Sequence, residues 1–445
     1  MAGEWRELRL GDLVAQGALS ISDGYRVRNA ELGPEGIPFV RGGDIGDGWI
    51  NTTTTDHIRP EFTDRVRAKL ARAGDVAFIT KGTVGRAGRL RPGQPAVVFA
   101  PQVAYWRVLA SDILDSGFLF YLIQSHAFQS ALDGVKTHGS MVADYVSISL
   151  QHDFAFKFPD IKSQRAIAHI LGTLDDKIDL NRRMNETLEA MARALFKSWF
   201  VNFDPVRAKA EGRDPGLPES IAGLFPDNFE DSELGEIPKG WQVKSIGDLA
   251  DVAGGTTPST KEPAYWDGGT HAWATPKDLS GLAVPVLLDT ERRITDAGLS
   301  QVGSGLLPKG TVLLSSRAPI GYLAVAEIPV AINQGFIAML PKTGTSNLFL
   351  LLWASVAHEE IVSRANGSTF LEISKANFRP ISVVTPSADV MYKFDQLARP
   401  LYERIVECAR ESHTLATLRD ALLPKLIAGE LRLKDAERLL EEARA

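Results

Sequence analysis

The residues of this chain that could carry chemistry are acids near lysines, glycine-rich turns, an asparagine before a proline, and eight histidines. A Mg²⁺-dependent nuclease gathers acidic residues and a lysine around its ion. Asp160 with Lys162, and the stretch from Asp227 to Lys239, supply those types. Neither has the spacing a metal-bearing strand needs, and both read as solvated turns. A phosphate-cradling loop follows G-x-x-x-x-G-K-[ST]; Gly254 and Gly255 lead into TTPSTK, which breaks that pattern. Gly82, Gly85 and Gly88 read as turn glycines. An amino-methyltransferase carries an Asn-Pro-Pro-Tyr-like loop at a strand end, whereas Asn202-Phe203-Asp204-Pro205 lacks the second proline and follows a helical pattern. The histidines show no metal-ligand spacing, and His358-Glu359 lacks the second histidine of a zincin. No catalytic residue, resident cofactor or metal site is predicted. The pattern is that of a binding and scaffolding protein.

The chain repeats itself, and the repeat tells where its elements lie. Trp5, Gly11, Asp12 and Leu13 recur as Trp241, Gly247, Asp248 and Leu249, 236 positions on. Gly74 and Gly85 recur as Gly310 and Gly321, Gly139-Ser140 as Gly367-Ser368, and Leu188 and Leu195 as Leu415 and Leu422. A duplication of about half the chain suggests one task done at two places. Each copy opens with a mixed segment of short strands bounded by turns: GDVAFIT and AVVFAPQVAYWRV in the first, GTVLLSS and PVAINQGFIAML in the second. A short helix is expected near Gly117–Ala131, with a counterpart near Asn347–Ser363.

A long amphipathic helix then follows in each copy. Ile167, Ile170, Leu174, Ile178, Leu188, Met191 and Leu195 form one stripe at steps of three and four. Phe394, Leu397, Leu401, Ile405, Leu415, Leu418 and Leu422 form the other. Both stripes break at the same level, at Asn181 and Asn185 and at Cys408 and Ser412. Polar breaks in a coiled-coil seam fix register. At 1.5 Å per residue each helix spans roughly 55 Å, and the simplest partner for each is the other. A polar, Pro- and Gly-rich stretch from Asn202 to Gly240 reads as an ordered loop or linker, and a short charged helix closes the chain.

Composition is that of an ordinary globular protein, with 44% hydrophobic and 23% charged residues. The single Cys408 permits no internal disulfide, and MAGEWRELRLGD is no signal peptide; both fit the cytoplasm. The apolar run Leu348–Ala357 is too short to cross a membrane. The net charge of −6 argues weakly against a nucleic-acid partner. Its distribution argues the other way. No acid lies between Asp75 and Asp112, where Lys81, Arg86, Arg89, Arg91 and Arg107 fall, nor between Asp296 and Glu327, where Lys309 and Arg317 fall. Matching acid-free windows in both copies suggest an anion-facing surface.

LEAMARALFKSWFVNFDPVRAK and LRDALLPKLIAGELRL resemble the two spacer helices of the specificity subunit of type I restriction–modification systems. FPDNFEDSELGEIPKGW looks like the start of that family's second target-recognition domain, and GDVAFITKGTVGRAG and GTVLLSSRAPIGYLA like its strand-and-turn element. The resemblance covers essentially the whole chain. It implies an α+β, pseudo-twofold protein: recognition domain 1–160, central spacer helix 161–203, linker 204–240, recognition domain 241–386, C-terminal spacer helix 387–430 and tail helix 431–445. It further implies a non-catalytic chain that reads a split site on double-stranded DNA. Two modification subunits would bring S-adenosylmethionine and methylate adenine, and restriction subunits would bring ATP- and Mg²⁺-dependent translocation and cleavage. The alternative is a self-contained DNA methyltransferase or endonuclease with an unrecognised motif.

Base edges are read by forked or amide side chains, and phosphates are held by cations. In the first copy the candidates are Arg41, Lys81, Arg86, Gln102, Lys136, His138 and Ser140. In the second they are Lys277, Arg317, Asn333, Gln334, Asn366, Ser368 and Thr369. Arg41 and Lys277 precede Asp44 and Asp278 at near-matched positions, Gln102 and Gln334 close equivalent strands, and the Gly-Ser turns recur. Lys81, Arg86 and Arg317 are assigned to phosphates, the amides to bases. The spacer helices would act as a ruler, placing half-site centres about one DNA turn, roughly 34 Å, apart. Removing one helical turn from the spacer is expected to shorten the preferred gap in a site-selection assay; an unchanged gap contradicts the ruler.

Overall fold

The computed structural model describes residues 5–46, 48–136, 145–367 and 371–444. The chain divides into two compact units: residues up to Ile178 together with those from Thr414 onward, and Asp179–His413. Along the first unit come β1 (Arg6–Arg9), β2 (Leu19–Asp23), β3 (Ile37–Val40), β4 (His57–Ile58), β5 (Val76–Ile79), β6 (Ala87–Arg89), β7 (Val97–Phe99), β8 (Val103–Val108), α1 (Ser116–Gln124), α2 (His126–Lys136), β9 (Ala155–Phe158) and the start of α3 (Ile161–Phe200). Along the second come the rest of α3, β10 (Gln242–Ser245), β11 (Ala250–Ala253), β12 (His271–Ala274), β13 (Arg292–Ile294), β14 (Val312–Ser316), β15 (Ile320–Ala326), β16 (Ala331–Ile332), β17 (Phe336–Pro341), α4 (Asn347–Val356), α5 (His358–Ser363), β18 (Ser382–Thr385) and most of α6 (Ala388–Ile427). The end of α6 and α7 (Leu433–Arg444) return to the first unit.

The two units repeat one topology. In the first, β2, β8, β5 and β6 lie in that order in an antiparallel sheet. In the second, β11, β17, β14 and β15 do the same. Val76–Ile79 and Val312–Ser316 are buried at every residue, which is why they read as continuous apolar runs without alternation. In each unit the opening strand closes on the strand before the long helix: β1 on β9, and β10 on β18. The single short helix expected in each copy is two, α1–α2 and α4–α5, broken at Ser125 and Ala357. Asp160, read as a solvated turn, is exposed and caps α3. Its carboxylate accepts from the Lys162 and Ser163 amides and the Ser163 hydroxyl, and the Ser163 hydrogen bonds hold it below the usual carboxylate range.

The cores are aromatic. In the first unit Phe78, Trp106 and Phe128 meet edge to face with centroids 5.2–5.7 Å apart, and the Trp106 indole donates to Gln151 at 2.8 Å. In the second, Phe196, Phe200, Phe349 and Phe394 form one cluster. The Pro- and Gly-rich stretch after α3 is ordered. It forms two short helices and a hairpin, Phe229–Ser232 with Gly235–Pro238, and buries Phe203, Val206, Ile221, Phe225 and Ile237 in that core.

Buried polar contacts tie each unit to its long helices. Asp175 of α3 accepts from the Tyr121 hydroxyl at 2.6 Å and from Arg419 at 2.8 Å. Burial, then the neighbouring Asp175, pushes the Tyr121 phenol well above its ordinary range. In the second unit Glu327 accepts from Tyr402 at 3.1 Å and Arg410 at 3.2 Å, and pairs with Lys309 at 2.9 Å.

Within the second unit α3 and α6 run antiparallel: Phe196 meets Phe394, whereas Asn181 meets Cys408 and Ser412. The polar breaks therefore face each other, with the buried Asn181 amide donating to Glu411 at 2.8 Å. Ile167, Ile170, Leu174, Leu415 and Leu422 are buried in the first unit with Ile178 and Leu418 packed alongside, and Phe394 and Ile405 are buried in the second against Leu188 and Leu195. Three seam assignments fail. Met191 is 51% exposed, Leu397 is 37% exposed, and Leu401 is only half-buried. Ala192, Ala398 and Tyr402, each one position on, pack in their place. Ala192 and Ala398 are small enough for close helix approach, and Tyr402 packs with its hydroxyl donating to the buried Glu327. Phe394→Ala is expected to cost about 3–5 kcal/mol, measured by urea unfolding; a loss under ~1 kcal/mol would contradict its place at the centre of the core.

Candidate nucleic-acid interface

Strand direction gathers the described loops that carry Arg41, Lys81, Arg86 and Gln102 onto one rim of the first unit. In the first unit β3 and β7 are parallel, so both end at the same edge, where the Ala100 amide donates to the Val40 carbonyl at 2.9 Å. β5 runs against β8, so its end meets the start of β8, and Thr80 donates through amide and hydroxyl to the Gln102 carbonyl. The loops 41–44, 80–86 and 100–102 thus share one edge. The Val146 amide donates to Thr80, which brings Tyr145 beside Lys81.

The second unit builds the same rim. β12 and β16 are parallel, and the Asn333 amide donates to the Ala274 carbonyl at 3.1 Å. Ser316 donates to the Gly335 carbonyl and accepts from the Ile373 amide, which brings Glu372 beside Arg317. Lys81 and Arg317 therefore hold the same place in the two copies, each following the residue, Thr80 or Ser316, whose amide bonds to the loop before the neighbouring strand. Gln102 and Gln334 do not match, since Gly335 receives Ser316 where Gln102 receives Thr80, and neither do Arg41 and Lys277. Arg41 opens a turn capped by Asp44, and its counterpart is Thr275, which opens the turn capped by Asp278. Lys277 falls two residues further on.

Several of these cations already face a carboxylate. Arg41 pairs with Asp56 at 2.6 Å and lies over the Phe39 ring. Lys277 pairs with Glu291 at 2.7 Å, which raises its pKa, and Arg317 lies 3.4 Å from Glu372. Exposed pairs of this kind are weakly held. Lys81 and Arg86 are exposed on the turn between β5 and β6. Gln102 is half-buried beside Gly42. Asn333 accepts from the Gly335 amide, and the exposed Gln334 accepts from the Thr257 hydroxyl at 2.6 Å. Asn366 is exposed, its backbone bonded twice to Glu372. Lys136 ends α2, and its side chain lies outside the described residues, as do His138, Ser140, Ser368 and Thr369.

Sequence reasoning missed one group on the second rim. Arg292 lies opposite Trp273 on the β12–β13 ladder, its guanidinium carbon 3.6 Å from the Trp266 ring centroid and 5.3 Å from that of Trp273. The two indoles meet edge to face at 5.0 Å. Two tryptophans on one short stretch before an Arg-Arg pair was the available signal.

A rim of loops carrying cations and amides, built twice on one chain, defines a class of protein that meets an extended anionic polymer at two places. The chain matches the type I restriction modification DNA specificity domain at residues 3–190 and again at 238–394, and it belongs to that family. It is 26% identical to the type I restriction enzyme HindI specificity subunit of Haemophilus influenzae, over 96% of this chain and all of that one. It is 40% identical to the MjaIX specificity subunit of Methanocaldococcus jannaschii over 37% of this chain and 38% of that one. Its fold is similar to the crystal structure of the type I restriction–modification S subunit from M. genitalium, with TM-score 0.60 at 16% identity, covering 95% and 96% of the two chains.

If Lys81 and Arg317 hold phosphates, Lys81→Ala and Arg317→Ala should each weaken binding to all duplexes alike. Each should also flatten the log K against log [salt] slope by about 0.9. An unchanged slope contradicts the assignment.

Proposed function

We propose that this chain is the DNA-specificity subunit of a type I restriction–modification complex, and that each unit reads one half of a split site through its rim of loops. The observation that carries this reading is the recurrence of one rim in both units, with a cation at the same place near the end of the central strand. Cations in that place suit the phosphates common to any duplex, and the amides and forked side chains around them suit base edges. The chain is proposed to be non-catalytic. S-adenosylmethionine would belong to two modification subunits, and ATP with Mg²⁺ to restriction subunits. The helices offer those partners apolar side chains that their own packing leaves out, among them Met191, Tyr392 and Leu397.

Methylation mapping after co-expression with the modification subunit tests the reading. The expected result is one bipartite motif with a fixed gap, methylated once on each strand, and no methylation when this chain is omitted. A purified chain that bound S-adenosylmethionine, or cut or methylated DNA unaided, would overturn it in favour of a self-contained enzyme.

A further inference from the structure

We propose that Arg292 reads a guanine in the half-site of the second unit, with Trp266 holding its guanidinium flat. The inference rests on the function proposed above and adds a contact and a base to it. The Trp266 indole donates to the Ser259 carbonyl at 2.9 Å and the buried Trp273 indole to the Thr256 carbonyl at 3.3 Å, so both rings are fixed from behind. At 3.6 Å the guanidinium is stacked on the Trp266 face. Stacking uses the π surface of the group and leaves its N–H fork free. Arg292 is exposed, and among the described residues no carboxylate or carbonyl receives that fork. It also stands at the rim: Trp273 runs directly into the Thr275–Asp278 turn, and the Glu291 amide donates to Asp278 at 2.8 Å.

Comparison of the two copies separates base from phosphate. In the first unit the residue opposite Phe39, the counterpart of Trp273, is Asp56, whose carbonyl accepts from the Phe39 amide. The position of Arg292 is thus held by an acid in the other copy. There a guanidinium also sits over the strand aromatic, but it comes from Arg41 and is neutralised by Asp56. A phosphate is the same at both half-sites, so a phosphate-holding position has reason to stay cationic in both copies, as Lys81 and Arg317 do. A position that reads a base changes with the base. A flat, fixed fork matches the O6 and N7 acceptors of guanine, and its order is already established before binding.

The test is site selection from a randomised duplex library by the full chain with its modification partner, comparing wild type, Arg292→Ala and Arg292→Lys. Both variants should lose about tenfold or more of the preference for guanine at one position of one half-site, with the other half-site unchanged. Lysine keeps the charge and much of the packing, so it controls for folding. Retained guanine preference in Arg292→Ala overturns the proposal. So does a uniform loss of affinity that lysine restores, because that is the behaviour of a phosphate contact. A wild-type complex that selects no sequence at all overturns the underlying reading, and this inference with it.

Discussion

In each unit the chain must pass against a neighbouring backbone with no side chain between them. A Cβ on Gly24 would stand 1.9 Å from the Ala100 carbonyl oxygen, and one on Gly255 would stand 1.7 Å from that of Ile332. Those crossings let Tyr25 donate to the Phe99 carbonyl and Thr256 to the Ile332 carbonyl, just where β7 and β16 give way to the rim. The rim follows from this constraint. With β7 held there, its parallel partner β3 ends at the same edge, and so does β5 through β8. Any larger residue at either glycine would part the strands whose ends form the rim.

On such a rim, charge acts through arrangement more than through sum. The net charge of −6 opposes DNA at long range, but salt screens that field beyond about 8 Å at physiological ionic strength. At contact distance the rim presents cations paired with exposed acids. A phosphate entering such a pair replaces one anion by another and releases little water-exposed stability. Arg41 with Asp56 and Lys277 with Glu291 are such pairs.

Much of the fold was legible in the sequence because period and repetition are local properties. The continuous apolar runs marked β5 and β14, and steps of three and four marked α3 and α6. The seam was legible only where its packed residues are the apolar ones of the stripe. Leu397 and Leu401 stood in place of Ala398 and Tyr402 because the more apolar residue marks a stripe, whereas a small alanine and a hydrogen-bonded phenol can also pack there. The rim was partly legible. Lys81 and Arg317 lie in the acid-free windows of the two copies, but the mismatch of Arg41 with Lys277 emerged only from the capping of their turns. Arg292 could not be ranked from sequence at all. Its significance lies in a stack on Trp266, 26 residues earlier in the chain, and in the acid that stands at the same place in the other copy.

The claim that two equivalent rims meet DNA is tested most directly by amide hydrogen exchange of the assembled complex with and without its target duplex. The account predicts protection at 41–46, 80–86 and 100–102 and at 275–278, 317–319 and 333–335 together, with the opposite strand ends unchanged. Protection confined to one unit, or lying away from both sets of loops, would contradict it.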